Sequence, residues 1–292
     1  MQIAVYNRVF EDSDLPYFVQ LFESLREAKI PMVIYEPLLI RLKQLMPMQD
    51  IQEVFSESKP LNNRTKYMIS LGGDGTMLDT VKFTARANIP VLGINLGRLG
   101  FLASTSKEEI NMAVQALSKG TFHLDTRTLI HLDASIPIFQ DAPFALNEFS
   151  LHRKDSSSLI KIHTYLNGEF LCTYWADGII VSTPTGSTGY SLSCGGPIIF
   201  PQANSFVITP VAPHNLNVRP IIISDASVVS FEVEGRAEHF LCTLDARSES
   251  IDSSVSLAVR KEDFTIQLIR LEGQHFLQTL QTKLYWGADR RN

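Results

Sequence analysis

The sequence predicts an α/β domain with a Rossmann-like parallel sheet over residues 1–122, a mostly antiparallel β domain over 123–270, and a partly helical tail over 271–292. Three observations lead there. A chain of 292 residues is at the size where one hydrophobic core tends to split. The first part alternates strand-like and helix-like stretches, the pattern of a parallel sheet covered by helices. Beyond about residue 121, short β-rich runs follow one another.

The stretch "IAVY" reads as the first strand. "SDLPYFVQLFESLREAKI" places Leu15, Phe18, Leu21, Phe22 and Leu25 at helical spacing, with Ser13 or Asp14 as the expected cap. "MVIY" is a second strand, and "LLIRLKQLM" a short helix that ends before Pro47. "YMISL" is a continuous apolar strand of the kind buried in a parallel sheet. "TMLDTVKFTARA" is helical and "PVLGIN" is the next strand. "SKEEINMAVQALSKG" begins with a capping box, Ser106 to Glu109, and ends at Gly120. The β-rich runs are "TLIHLDAS", "LIKIHTYL", "EFLCTYW", "DGIIVST", "RPIIIS", "VVSFEVE", "HFLCTLD", "SVSLAVR" and "FTIQLIR". Asn167-Gly168 between two of them predicts a tight hairpin. The tail "HFLQTLQTKLYWGADRRN" is partly helical again.

Apolar residues make up 45% of the chain and charged residues 20%, ordinary proportions for a soluble globular protein. A net charge of −5 supplies no basic field for nucleic acid or an anionic membrane, so neither is expected as a partner. A phosphate-bearing ligand must therefore be held locally, by backbone N–H groups, a few side chains or a metal. The opening "MQIAVYNRVF" lacks the basic segment and apolar run of a signal peptide. No apolar stretch reaches the ~18 residues of a spanning helix. Cys172, Cys194 and Cys242 are an odd number without a C-x-x-C pair, which predicts reduced thiols in a cytoplasmic protein. The seven histidines show no zinc-site spacing.

Three segments carry chemistry. "LGGDGTMLDT" sets glycines 72, 73 and 75 around Asp74 at a strand end, before a helix whose free N–H groups would suit an anion. It is neither a Walker loop nor a dinucleotide fingerprint, because Leu78 stands where the third glycine belongs. Spacing alone leaves an anion site and a plain Asp-Gly turn equally open. "GINLGRLGFLAS" follows a buried strand at the end where open α/β sheets bind ligands, and an interdomain loop accounts for it as well. "ADGIIVSTPTGSTGYSLSCGGP" crowds hydroxyls and glycines behind a buried strand, a composition that favours a sugar or phosphate ligand over a plain loop. Asn147 and Glu148 in "FALNEFSL", taken alone, read as a strand's solvent face.

Together "GGDGTML", "GINLGRLGFL", "LNE", "DGIIVSTPTGSTGYSLSCGGPI" and "PHNLNVRP" resemble the NAD kinases in order and spacing, over about residues 66–220, and "TLQTKLYWG" extends the likeness. The GGDGT element is shared with diacylglycerol-type lipid kinases and phosphofructokinases. The long T-P-T-G-S-T-G-Y-S-L-S-x-G-G-P run is the specific part. The resemblance implies transfer of the terminal phosphoryl group of ATP to the 2′-hydroxyl of the adenosine ribose of NAD, giving NADP, with a divalent cation such as Mg²⁺ carried on the ATP phosphates. It implies that Asp74 is the catalytic aspartate, with Gly75 as an adjoining backbone contact. Asn147 and Glu148 match the pair that engages NAD, and Thr188, Gly189, Tyr190, Ser191, Leu192 and Ser193 the loop around it. Phe101 lies where an aromatic ring packs beside the adenine, and Ala212 in the segment that closes the site. Asp177 matches a contact made across a subunit interface, and the implied assembly is a homotetramer or homodimer. The tail is implied to return to the first domain. Arg247 departs from the pattern, since many relatives carry an uncharged polar residue there; it could meet a phosphate or pair with Glu249. The competing classes are a lipid kinase of the GGDGT type and a non-catalytic NAD(P)-binding sensor, which would not need Asp74.

Overall fold

The computed structural model describes residues 1–47, 53–154, 159–235 and 239–287. The chain forms two compact units, residues 1–126 with 266–292, and residues 127–265.

In the first unit the chain runs through β1 (Gln2–Tyr6), α1 (Leu15–Glu27), β2 (Met32–Tyr35), α2 (Glu36–Leu45), β3 (Val54–Phe55), β4 (Thr65–Leu71), α3 (Asp74–Thr84), β5 (Val91–Asn95), β6 (Thr105–Ser106) and α4 (Ile110–Lys119). The sheet order is β5-β4-β1-β2-β3, parallel throughout, as the alternating pattern predicts. α1 forms because Phe18, Leu21, Phe22 and Leu25 fall on one face, and all four are buried. Replacing any one with Ala would cost about 2–5 kcal/mol. Asp14 stands at the N-cap position of α1, as one of the two expected candidates. A single 3₁₀ turn, Asp12–Asp14, precedes the helix and is closed by a reciprocal Glu11–Asp14 box, so neither Ser13 nor Asp14 caps α1 through its side chain. The Ser106–Glu109 capping box is present, and the Glu109 carboxylate accepts the Ser106 N–H at 2.8 Å. Gly120 ends α4 at φ +71°, in the left-handed region glycine enters without steric cost.

Chain direction fixes where a ligand can sit. The strand sequence reverses at β1, with β2 on one side and β4 on the other. The carboxyl ends of such neighbouring strands flank the crevice where open α/β sheets bind ligands. The GGDG turn leaves β4 at that end, and Asn7, just past β1, donates to the Leu71 carbonyl at 2.6 Å.

The second unit is built from β7 (His123–Ala134) beyond its first four residues, β8 (Phe144–Ala145), β9 (Glu148–Arg153), β10 (Ile160–Leu166), β11 (Glu169–Ala176), β12 (Gly178–Ser182), the short α5 (Tyr190–Ser193), β13 (Ser205–Val211), β14 (Ile221–Ser224), β15 (Val229–Glu234), β16 (His239–Leu244), β17 (Arg247–Asp252) and most of β18 (Leu257–Arg270). One antiparallel sheet runs β14-β13-β12-β9-β16-β17. The other run is β11-β10-β15-β18, also antiparallel, with β7 joined to β18 and β8. Phe149 from the first stacks on Phe231 from the second, centroids 5.4 Å apart, inside a core that also holds Phe206 and Phe240. Asn167 and Gly168 take φ +52° and +84°, the paired left-handed geometry of a two-residue hairpin turn.

Three strand expectations change. "SVSLAVR" and "FTIQLIR" belong to one strand, β18, which runs unbroken through the charged residues between them. β13 was hidden by Pro210 within its run, a residue that disfavours a strand interior. β17 was hidden because it is a polar edge strand, with only Ile251 buried. The last residues of β18 and the helix α6 (Phe276–Leu284) belong to the first unit.

Candidate active site

In the first unit, Asp74 is the first residue of α3, after Gly73 in extended conformation. Its side chain does not cap its own helix. It crosses to the loop beyond β5, where Oδ2 accepts the Phe101 N–H at 2.8 Å and Oδ1 accepts the N–H groups of Leu102 and Ala103, each at 3.0 Å. A carboxylate has about four lone-pair positions. With three filled, one remains, on Oδ2. Gly100 permits this approach, since a Cβ there would lie 1.8 Å from Oδ1. That is the reason for the last glycine of "GRLG". Gly73 and Gly75 are exposed, with nothing within 4 Å of where a Cβ would stand, so the helix N-terminus is open on that side. Arg8, following β1, pairs with Asp79 of α3 at 3.5 Å. The Phe101 ring has the Phe276 ring 6.2 Å away and the Lys283 ammonium 5.2 Å from its centroid, both from α6.

In the second unit, Asn147 and Glu148 stand where the chain enters β9. Asp245, in the β16–β17 turn at φ +53°, accepts three consecutive amides: Leu146 and Asn147 at 2.8 Å and Glu148 at 3.1 Å. The Glu148 Oε2 is buried and has no hydrogen-bond partner. Burial, then repulsion from Asp245, pushes its pKa up to about 8, so the carboxyl carries a proton at neutral pH and can donate. Burial also raises the pKa of Asp245, against the pull of the three amides and Arg247. Gly189 closes on this pair. A Cβ there would meet Gly186 O at 3.2 Å, Glu148 Oε2 at 3.4 Å and Asn147 Nδ2 at 3.6 Å.

The hydroxyl-rich loop divides in two. Thr183 donates to Leu146 O, Ser187 to Pro184 O, Arg127 donates to Thr185 Oγ1, and Ser191 shares a hydrogen bond with Thr209 at 2.8 Å. These buried hydroxyls build the loop, so most of the density that pointed to a ligand serves internal bonding. Ser191 is among them. Tyr190 and Ser193 are exposed, while Thr188, Gly189 and Leu192 are half-buried. The Tyr190 ring lies 5.6 Å from His152. Asp177 pairs with Arg153 at 2.8 Å. Ala212 follows β13 at φ +45°, a strained conformation for a non-glycine residue and one that concentrates at functional sites.

Sequence reasoning missed Asp245. The available signal was "LDAR", where an Asp-Ala pair occupies a hairpin turn that ordinarily favours Asp-Gly. Arg247 donates to the carbonyls of Ala142 and Phe144, while Glu249 accepts the Phe139 N–H at 2.7 Å. Among the described residues no group of three or more His, Cys, Asp or Glu side chains could hold a metal, and no helix is long and apolar enough to cross a membrane.

Residues 11–122 match the ATP-NAD kinase N-terminal domain and residues 146–271 the ATP-NAD kinase C-terminal domain. An NAD kinase of Cytophaga hutchinsonii is 47% identical over the full length of both chains, and one of Flavobacterium psychrophilum is 44% identical, also over the full length of both. The fold is that of yeast NADH kinase complexed with NADH, at TM-score 0.89 and 23% identity over 99% of this chain and 88% of that one. An NAD kinase from Archaeoglobus fulgidus in complex with ATP superposes at TM-score 0.73 and 21% identity over 98% of each chain. The chain belongs to the NAD kinase family.

Proposed function

We propose that this chain moves the terminal phosphoryl group of ATP to the 2′-hydroxyl of the adenosine ribose of NAD, with Asp74 taking the hydroxyl proton. The observation that carries this reading is the carboxylate fixed by three amides with one lone pair left on Oδ2. The attacking ribose oxygen forms the new P–O bond, the bond to ADP breaks, and the proton passes to Oδ2. Phosphoryl transfer depends chiefly on positioning and charge neutralisation, and a rigid acceptor supplies the first. The open helix N-terminus at Gly73 and Gly75, with Arg8 past β1, offers donors for phosphates. A divalent cation would neutralise phosphate charge. Phosphate oxygens and water would supply most of its ligands, since no ready cluster of protein ligands occurs among the described residues.

NAD is assigned to Asn147, protonated Glu148, Gly189 and the Thr188–Ser193 loop, of which Tyr190 and Ser193 are exposed, with Phe101 beside the adenine and Ala212 closing the site. NADP as product, a homo-oligomeric assembly with Asp177 reaching a neighbour, and a cytoplasmic location complete the reading. The test is incubation of purified protein with ATP and Mg²⁺ and either NAD or diacylglycerol. NADP formation is expected. Lipid phosphorylation, or tight NAD binding without turnover, contradicts the proposal.

A further inference from the structure

Arg270 is not accounted for by any motif. It is the last residue of β18, its side chain is 13% exposed, and it lies in the first unit with Asp74. Its guanidinium donates to Phe101 O at 3.1 Å, Leu102 O at 3.4 Å and the Ser104 hydroxyl, and it pairs with Asp125 at 3.4 Å. Phe101 O and Leu102 N–H are two ends of one peptide group, and Leu102 O and Ala103 N–H are two ends of the next. Asp74 holds both N–H ends. Two peptide planes are thus gripped on opposite edges, by a cation at oxygen and by the Asp74 carboxylate at nitrogen. Polarisation runs the same way through both, so each bond strengthens the other. The planar guanidinium fork can take two carbonyls at fixed spacing, which a lysine ammonium does less well.

We propose that Arg270 is the positioning residue of Asp74. It acts through the Phe101–Leu102 and Leu102–Ala103 peptides to aim the open lone pair of Oδ2. This rests on the assignment of Asp74 as proton acceptor. The test compares Arg270→Gln, Arg270→Lys, Asp74→Asn and the double variant Arg270→Gln/Asp74→Asn, measuring kcat, KM for NAD and thermal unfolding. Arg270→Gln should lower kcat at least tenfold with KM for NAD within threefold. Arg270→Lys should fall between it and the wild type. The double variant should lose less than the product of the two single losses, because Arg270 has nothing left to aim. A purely structural role predicts lower thermal stability, independent losses and no recovery with Lys. Arg270→Gln with kcat within twofold of wild type, or fully multiplicative losses, overturns the proposal. If Arg270→Gln does not fold, Arg270→Lys decides: reduced kcat in a folded protein at unchanged KM supports the proposal, and wild-type kcat overturns it. An impaired Asp74→Asn beside a normal Arg270→Gln removes only the Arg270 proposal, whereas a normal Asp74→Asn removes both readings.

Discussion

Glu148 is the residue whose chemistry departs furthest from its ordinary state. Its folded pKa, about 8, lies above the usual 4.5, so stability from its bound proton is fully present below pH 4.5 and is lost as pH rises through about 8. Glu148→Gln, which imitates the protonated carboxyl, should gain thermal stability relative to wild type across that interval and keep its NAD affinity above pH 8, where the wild type weakens. Parallel melting curves from pH 4.5 to 9 would mean that Glu148 is already ionised in the fold. Gly189 gives a second expectation at this scale. Alanine needs only a few tenths of an ångström from its neighbours, but leucine must displace the Glu148 and Asn147 side chains. Gly189→Leu should raise the NAD dissociation constant strongly, with only a modest drop in the melting temperature of the unliganded protein from the displaced side chains. A large stability loss with normal NAD affinity would assign the glycine to packing. The family resemblance singled these residues out through short motifs, whereas taken alone Glu148 reads as a strand's solvent face and its burial was not legible. Asp245 and Arg270 were not singled out, because each acts on the backbone of residues 97–99 and 168–169 positions away in sequence.

The β16–β17 hairpin is the element that holds the Asn147–Glu148 entry to β9. Asp245 grips amides 146–148, and Arg247 grips the carbonyls of Ala142 and Phe144 just before them. Hydrogen bonds to a charged group contribute about 1.5–3 kcal/mol each. Arg247→Met should therefore lower the melting temperature by several degrees and leave KM for ATP unchanged, whereas a phosphate-binding arginine would raise that KM with little effect on stability. Most elements were legible in the sequence because their apolar spacing is regular, as in α1 and in the continuous run of β4. β13 and β17 were not, since a proline stands inside the first and the second is polar with only Ile251 buried. Composition singled out the hydroxyl-rich loop but cannot tell hydroxyls that bond the loop from those left for a ligand.

For the whole molecule, the change from alternating α/β pattern to successive β runs announced two kinds of sheet, and each unit has its own core. Assembly makes a separate prediction. If Asp177 serves a neighbour's site, mixing Asp177→Ala with Asp74→Asn under subunit exchange should restore part of the activity that each lacks, and a fully active monomer by mass measurement contradicts shared sites. The account as a whole turns on Asp74, and the structure sharpens how to test it. Asparagine in its place presents an NH₂ group toward an amide that now donates to Oδ2, so some loss of stability is expected and must be measured beside the rate. The decisive measurement is kcat of Asp74→Asn where chemistry is rate-limiting, with NAD binding by calorimetry on the folded protein. A loss of roughly 10²–10⁴ in kcat, about 3–5 kcal/mol of barrier, with near-normal NAD affinity and no rescue by added Mg²⁺, is the predicted result. A variant within about fivefold of wild-type kcat would contradict the account and leave Asp74 as the clasp of the Phe101–Ala103 loop.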